Sequence, residues 1–145
     1  MIKIKIKIKR KTQPPRPHQR PMEIRIAFTH GPIAIPAPEL PSREIGACVE
    51  FQGIVRELEG GRQLAGLHYE AYEPMAESQL ERIFRELHTA HPCAAVHFIH
   101  RLGWVPVGEA SLFIRVLAPH RGEALRFLAD AIDRMKADSP IWKSA

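Results

Sequence analysis

Beyond residue 21 the chain carries eleven arginines and only two lysines, Lys136 and Lys143. Arginine evidently serves for plain surface charge here, so two amines kept seven residues apart stand out. A lysine can lose its proton on burial and then act as acid, base or nucleophile toward a carbonyl; a guanidinium cannot. The plain alternative is a solvated helix end, where a cation also suits the macrodipole, and composition does not decide between the two. His120 and Arg121 stand where an apolar-periodic stretch begins. Free N–H groups and the positive dipole end make a helix start an anion site. An arginine there adds a bidentate phosphate clamp, and a histidine carries a proton near neutral pH. Simple helix capping with a surface arginine is the other reading. Arg56 closes the apolar run Gly53-Ile54-Val55-Arg56, either as an anion contact or as the exposed face of a period-2 strand.

The other histidines point less clearly to chemistry. His88 and His91 have i, i+3 spacing with Cys93 nearby, but no thiolate or carboxylate set completes a metal site, and none is expected. His97 and His100 fall in a strand, where odd spacing places them on opposite faces. There is no Gly-rich phosphate loop and no nucleophile elbow.

The elements that must carry these residues follow from periodicity. Met22-Glu23-Ile24-Arg25-Ile26-Ala27-Phe28 alternates as a first strand. Residues 30–44 hold four prolines and read as a loop, with one helical turn expected near 39–44. Residues 46–58 and 63–72 read as strands joined by the hairpin signal Glu59-Gly60-Gly61-Arg62. Leu80, Ile83, Phe84 and Leu87 share one helical face, predicting a helix over about 74–90 that starts near Pro74 and stops at Pro92. Strands are expected over 94–101 and 110–118, with turns around Gly103 and Gly108. Leu125, Leu128, Ala129, Ile132 and Met135 predict a second helix over about 121–137, stopped by Ser139-Pro140, with a short tail after it. The order implies an α+β fold with a largely antiparallel sheet and two main helices.

Charge divides the chain at residue 21. Residues 1–21 hold eight Lys/Arg and no Asp/Glu, whereas 22–145 hold 13 Lys/Arg against 16 Asp/Glu. The whole-chain charge of +5 thus belongs to a proline-rich extension, and the domain, at −3, is not built to attract nucleic acid. The extension is expected to be dispensable and disordered, the domain to span 22–145. No apolar run reaches the roughly 18 residues of a membrane-spanning helix, and no apolar stretch of signal-peptide length follows the basic residues. Two cysteines are too few for a disulfide scaffold, so a reducing, cytoplasmic setting is expected.

Taken in order, several segments resemble one family. They are Gly46-Ala47-Cys48-Val49-Glu50-Phe51-Gln52-Gly53-Ile54-Val55-Arg56 and Leu67-His68-Tyr69-Glu70-Ala71-Tyr72-Glu73-Pro74-Met75-Ala76. Ile99-His100-Arg101-Leu102-Gly103, Val107-Gly108-Glu109 and Ala118-Pro119-His120-Arg121 follow. Ile132-Asp133-Arg134-Met135-Lys136 and Pro140-Ile141-Trp142-Lys143 complete the set. Together they resemble the large, catalytic subunit family of molybdopterin synthase (MoaE-like). The resemblance implies a hammerhead-like α/β domain that pairs as a homodimer. Each copy would take up a small ubiquitin-like sulfur carrier whose C-terminal Gly-Gly ends in a thiocarboxylate, making a heterotetramer. The implied activity is a sulfurtransferase step of molybdenum cofactor biosynthesis, in which two sulfurs pass to cyclic pyranopterin monophosphate and form the dithiolene of molybdopterin.

Carried over onto this sequence, Lys136 matches the family's essential lysine and Lys143 its second active-site lysine. Arg56, His120 and Arg121 match substrate-binding residues, and Phe51 a neighbour of the pocket. No metal or organic cofactor is implied. Family members usually continue past Trp-Lys with a charged segment; the sequence here runs to Lys143-Ser144-Ala145, so help from such a segment is not expected. The proline-rich 30–44 region and the basic extension are not family features. Two other classes compete: a noncatalytic dimeric interaction protein of the same fold, and a nucleic-acid or anionic-surface module driven by the basic arm.

Overall fold

The structure, a computed structural model, describes residues 21–145. The basic extension over 1–20 lies outside the described residues. Four strands form the main sheet: β1 (Glu23–Thr29), β2 (Ala47–Ile54), β6 (Ala95–Arg101) and β8 (Ala110–Ala118), in the order β1-β6-β8-β2. Only the β1–β6 pair is parallel; β6–β8 and β8–β2 are antiparallel. A hairpin of β3 (Leu58–Glu59) and β4 (Arg62–Gln63) stands apart as its own two-stranded ladder. A second sheet, ordered β7-β5-β9, joins β5 (Gly66–Ala71) to β7 (Gly103–Pro106) and β9 (Ile141–Ser144). The helices are α1 (Glu73–Ala90) and α2 (Arg121–Asp138). The class is α+β, largely antiparallel with two main helices, as the periodicity implies.

Both helices pack their apolar stripes on one face of the main sheet. Leu80, Ile83, Phe84 and Leu87 of α1 and Ala124, Phe127, Leu128, Ala131 and Met135 of α2 share one core with Val96, Phe98, Leu112, Ile114 and Val116. Helix α1 has Pro74 in its first turn, where the missing N–H has no intrahelical partner to lose. Helix α2 ends at Ser139, whose N–H still reaches Met135 O at 3.1 Å before Pro140 breaks the ladder. The opposite sheet face is polar at its centre. There Arg25, His97, Arg115 and Glu50 lie side by side across four strands. Arg115 is almost fully buried. Its Nε donates to Glu50 Oε1 at 2.7 Å and its Nη2 to Pro36 O at 2.6 Å, which ties the proline-rich loop to the sheet.

Several local expectations change. Residues 39–44 form bends and a turn, not a helical turn; Pro41 disfavours helical backbone at Leu40, and the Glu44 N–H goes to Ser42 Oγ at 3.2 Å. The 46–58 strand ends at Ile54, where a register shift against β8 turns the chain out of the sheet. The stretch between Gly103 and Gly108, read as turns, contains strand β7. Both glycines have the expected positive φ, 83° and 87°, but Trp104 and Val105 between them pair with β5. The tail after Pro140 is strand β9, pairing Tyr69 with Lys143 and Glu70 with Trp142. These short strands have little periodicity of their own and form because β5 offers two open edges. Gly66 lets β7 come close: a Cβ there would stand 2.5 Å from Val105 O and 2.6 Å from the Trp104 ring.

Candidate active site

The register shift at the end of β2 has a consequence for the chemistry-bearing residues. Past Ile54 the chain leaves the main sheet, Val55 turns inward to a small second core with Leu67 and Val105, and Arg56 emerges toward solvent. At the same end of the molecule α2 finishes. Lys136 follows buried Met135, and the chain then doubles back through Pro140 into β9, which carries Lys143. The result is a cleft of about 680 Å³ between the two sheets and the end of α2, lined by Phe51, Arg56, Lys136 and Lys143 among others. Four of the six residues singled out in the sequence thus meet in one place.

His120 and Arg121 are not among the cleft's lining residues. They stand exposed at the start of α2, whereas Lys136 is near its end. Fifteen residues of helix separate Arg121 from Lys136, about 22 Å at 1.5 Å per residue. The helix start is as expected, with His120 as N-cap, but its side chain makes no capping hydrogen bond.

The electrostatics of the cleft are lopsided. Arg56 and Lys136 have no ion-pair or hydrogen-bond partner among the described residues. Lys143 Nζ pairs with Glu59 on the β3–β4 hairpin, and Glu59 is the only carboxylate on the cleft wall among the described residues. Three cations therefore face one anion in a recess with an apolar side, where Phe51, Leu67, Leu112 and Met135 contribute. Such a recess fits a small anion with a flat or apolar body.

Two wall residues escaped the sequence reading. His100, at the inner end of the cleft, is buried. Its Nδ1 donates to the Arg101 carbonyl at 2.8 Å, because a carbonyl can only accept, so neutral His100 keeps its lone pair on Nε2. The Tyr69 ring meets it edge-on with centroids 5.0 Å apart. Burial pushes the His100 pKa below its ordinary value, partly offset by that backbone hydrogen bond. Ser139, between the two lysines, lines the cleft with a buried Oγ that finds no partner among the described residues. His97 and His100 do lie on opposite faces, but spacing alone could not say which face opens on a cleft.

His88, His91 and Cys93 are engaged elsewhere. His88 Nδ1 accepts the Cys93 amide, and His91 Nε2 lies 2.8 Å from Asp130 Oδ2, so the i, i+3 pair is used in local structure. The Cys93 thiol is pushed up to about 12 by burial and by Glu123, which makes it unreactive.

A pH prediction follows from the two strand histidines. The His97 pKa is also lowered, by burial first and then by Arg25 and Arg115. In the unfolded chain both imidazoles titrate near the ordinary value of 6.5. Just below that pH the unfolded chain binds more protons than the native one. Their contribution is therefore intact above about pH 6.5 and lost as pH falls below it. Urea midpoints should drop between about pH 7 and pH 5, and the drop should shrink in a His97→Gln/His100→Gln variant. Equal slopes in both proteins would contradict it.

Comparison with known proteins bears on the chain as a whole. A family model described as MoaE protein matches residues 29–138. The molybdopterin synthase catalytic subunit of Oryza sativa subsp. indica is 44% identical over 98 residues, 68% of this chain and 51% of that protein. The Bacillus subtilis (strain 168) protein of the same name is 43% identical over 101 residues, 70% of this chain and 64% of that one. The chain thus spans about half to two thirds of the length of these curated relatives. The crystal structure of molybdopterin synthase from Staphylococcus aureus superimposes with a TM-score of 0.71 at 35% identity, covering 80% of this chain and 86% of that one. Since the family model runs from the last residue of β1 to the last of α2, well over half of the sequence, the chain belongs to the MoaE protein family.

Proposed function

We propose that the protein is the catalytic subunit of a molybdopterin synthase. In this reading it passes sulfur from the C-terminal thiocarboxylate of a small ubiquitin-like carrier to cyclic pyranopterin monophosphate. The observation that supports this best is the meeting of Arg56, Lys136 and Lys143 in one cleft against the Phe51 ring, with two of the three cations unpaired. The pterin supplies a flat ring system for the apolar side and a phosphate for the cations. The carrier's Gly-Gly tail is slim enough to enter a narrow recess as an extended chain. Each transfer breaks the carrier's acyl C–S bond and, at a side-chain carbon of the pterin, forms a C–S bond in place of a C–O bond, whose oxygen leaves as water or stays on the phosphate. The acyl carbon ends as a carboxylate, with its new oxygen from water.

Arg56 and Lys143 hold the anion, and Lys136 supplies the amine that handles the acyl group and its protons. Phe51 supports the ring. His100, neutral and with Nε2 open, is placed to accept a proton at the inner wall. No metal or organic cofactor has a part in these steps. A cytoplasmic setting accords with the free thiols of Cys48 and Cys93.

His120 and Arg121 enter this scheme only through the homodimer. The helix that separates them from Lys136 of the same chain prevents them from sharing its substrate, so a second copy must bring them to the cleft. Mixing Arg121→Ala and Lys136→Ala homodimers, each inactive or nearly so, and letting subunits exchange should restore activity in the mixed dimer. No recovery would assign His120 and Arg121 to local helix structure.

Titration of the purified protein with cyclic pyranopterin monophosphate tests the anion site itself. Arg56→Ala should weaken binding by about 1–3 kcal/mol, the worth of one charge-assisted contact. Unchanged affinity would remove Arg56 from the site. A chain starting at Met22 should fold and bind equally well, since β1 begins at Glu23 and Met22 already packs on the main core. Loss of folding in that shortened chain would show the extension to be part of the domain.

A further inference from the structure

The β3–β4 hairpin is joined to the body of the protein in an unusual way. Its own bonds close it: Glu59 pairs with Arg62 and Leu58 with Gln63, Leu64 N donates to Glu57 O at 2.7 Å, and Gln63 Nε2 donates to Glu57 Oε1 at 2.8 Å. Its tip is Gly60-Gly61, both at positive φ, with open space around each. Leu58 is exposed. Among the described residues, one polar contact links residues 57–63 to anything beyond the hairpin's own base, the Glu59–Lys143 ion pair. That contact sits on the wall of the cleft, at a cation the ligand needs.

We propose that Glu59 is a specificity-determining residue of the cleft, a carboxylate that competes with the ligand's own oxyanion for Lys143. The inference rests on reading the cleft as an anion site. A ligand phosphate or carboxylate brought to Lys143 meets Glu59 at close range, and two like charges beside one ammonium repel each other. Entry of the anion therefore releases Glu59, and with it the only polar tether of the hairpin among the described residues, so that the hairpin swings away from the cleft mouth. An anion that contacts Lys143 alone must outbid an intramolecular partner. A ligand that also engages Arg56 and Lys136 does so readily, because those two cations have no partner to give up. Glu59 thus makes the cleft select ligands that contact several cations at once and reject simple monovalent anions.

The test uses the full chain with the conservative change Glu59→Gln, which keeps size and exposure and removes the charge. Two probes separate the sources of the oxyanion: inorganic phosphate for the pterin's phosphate, and acetyl-glycyl-glycine for the carrier's tail. Calorimetric titration at fixed pH and ionic strength should show at least one probe binding about two- to fivefold tighter to Glu59→Gln, the range expected for a half-exposed ion pair. The probe that gains identifies which oxyanion Lys143 receives. The gain should vanish when both proteins also carry Lys143→Ala. Amide exchange over 57–64 should be faster in Glu59→Gln than in the wild type without any probe. A wild type that binds its probe as tightly as Glu59→Gln overturns this inference and leaves the anion site standing. A cleft that takes neither probe in either protein removes the anion site, and the role of Glu59 with it.

Discussion

Lys136→Arg is expected to lose product formation by roughly 10²–10⁴-fold, the range one positioned proton-transfer group contributes. The substitution keeps the charge and nearly the length, but replaces an amine with a group that neither gives up its proton nor attacks a carbonyl. Its effect on the fold should be small. Lys136 is exposed and has no ion-pair partner among the described residues, so nothing structural is left unpaired, and a surface change of this kind usually stays within about 0.5 kcal/mol. The proposed dimer and carrier binding should therefore survive. Lys136→Ala should fall equally far. Lys143→Ala should be milder, because its role is to hold an anion that Arg56 also holds. Retained turnover in Lys136→Arg, measured as dithiolene formed per site, would mean that charge alone suffices.

The largest effect on stability is expected from Phe98→Ala. Phe98 is fully buried in β6, directly between the sheet and the helices. Its ring centroid lies 6.0 Å from Phe84 of α1 and 6.3 Å from Phe28 of β1. It also neighbours His100 at 6.2 Å, and Phe84 in turn meets Phe127 of α2 at 6.0 Å. Truncation removes the ring's transfer energy and opens a cavity at the point where both helices and the sheet meet. The cost should be about 3–5 kcal/mol, a large share of the roughly 5–15 kcal/mol that keeps a domain folded. Thermal unfolding should shift down by roughly 12–20 °C for a domain of this size. A loss under about 1 kcal/mol would mean the site collapses around the gap. Because α2 rests on this core, the same change should also loosen the placement of Lys136.

The parts of the fold that were legible in the sequence are those whose own residues carry the pattern. Helix α2 shows its buried stripe through Leu128 and Met135, and β8 is a near-continuous apolar run, buried along most of its length. Their bounds match the periodicity to within a residue. Strands β7 and β9 were not visible as strands. Each has four residues, and their pairing depends on β5, distant in sequence. Leu125 and Ala129, read as apolar-face residues, are exposed in the structure, and the stripe runs instead through Ala124, Phe127, Leu128 and Ala131. The candidate site divides the same way. The scarcity of lysine drew attention to Lys136 and Lys143 before any geometry, and both line the cleft. Glu59 and His100 could not be found so, because what matters is which element they face across a long loop. Glu59 meets Lys143 only once β9 has paired with β5, and His100 opens on the cleft only because β2 turns away at Ile54.

Sulfur accounting in a single vessel tests the central claim most directly. The protein is mixed with excess thiocarboxylated carrier and limiting cyclic pyranopterin monophosphate. Intact-mass spectrometry then counts carriers converted from thiocarboxylate to carboxylate while the dithiolene product is quantified. Two carriers should be consumed for each dithiolene formed with the wild type, and no dithiolene should appear with Lys136→Arg. Carrier that binds but keeps its sulfur, with no dithiolene formed by the wild type, would contradict the account and leave a protein of this fold that binds without catalysing.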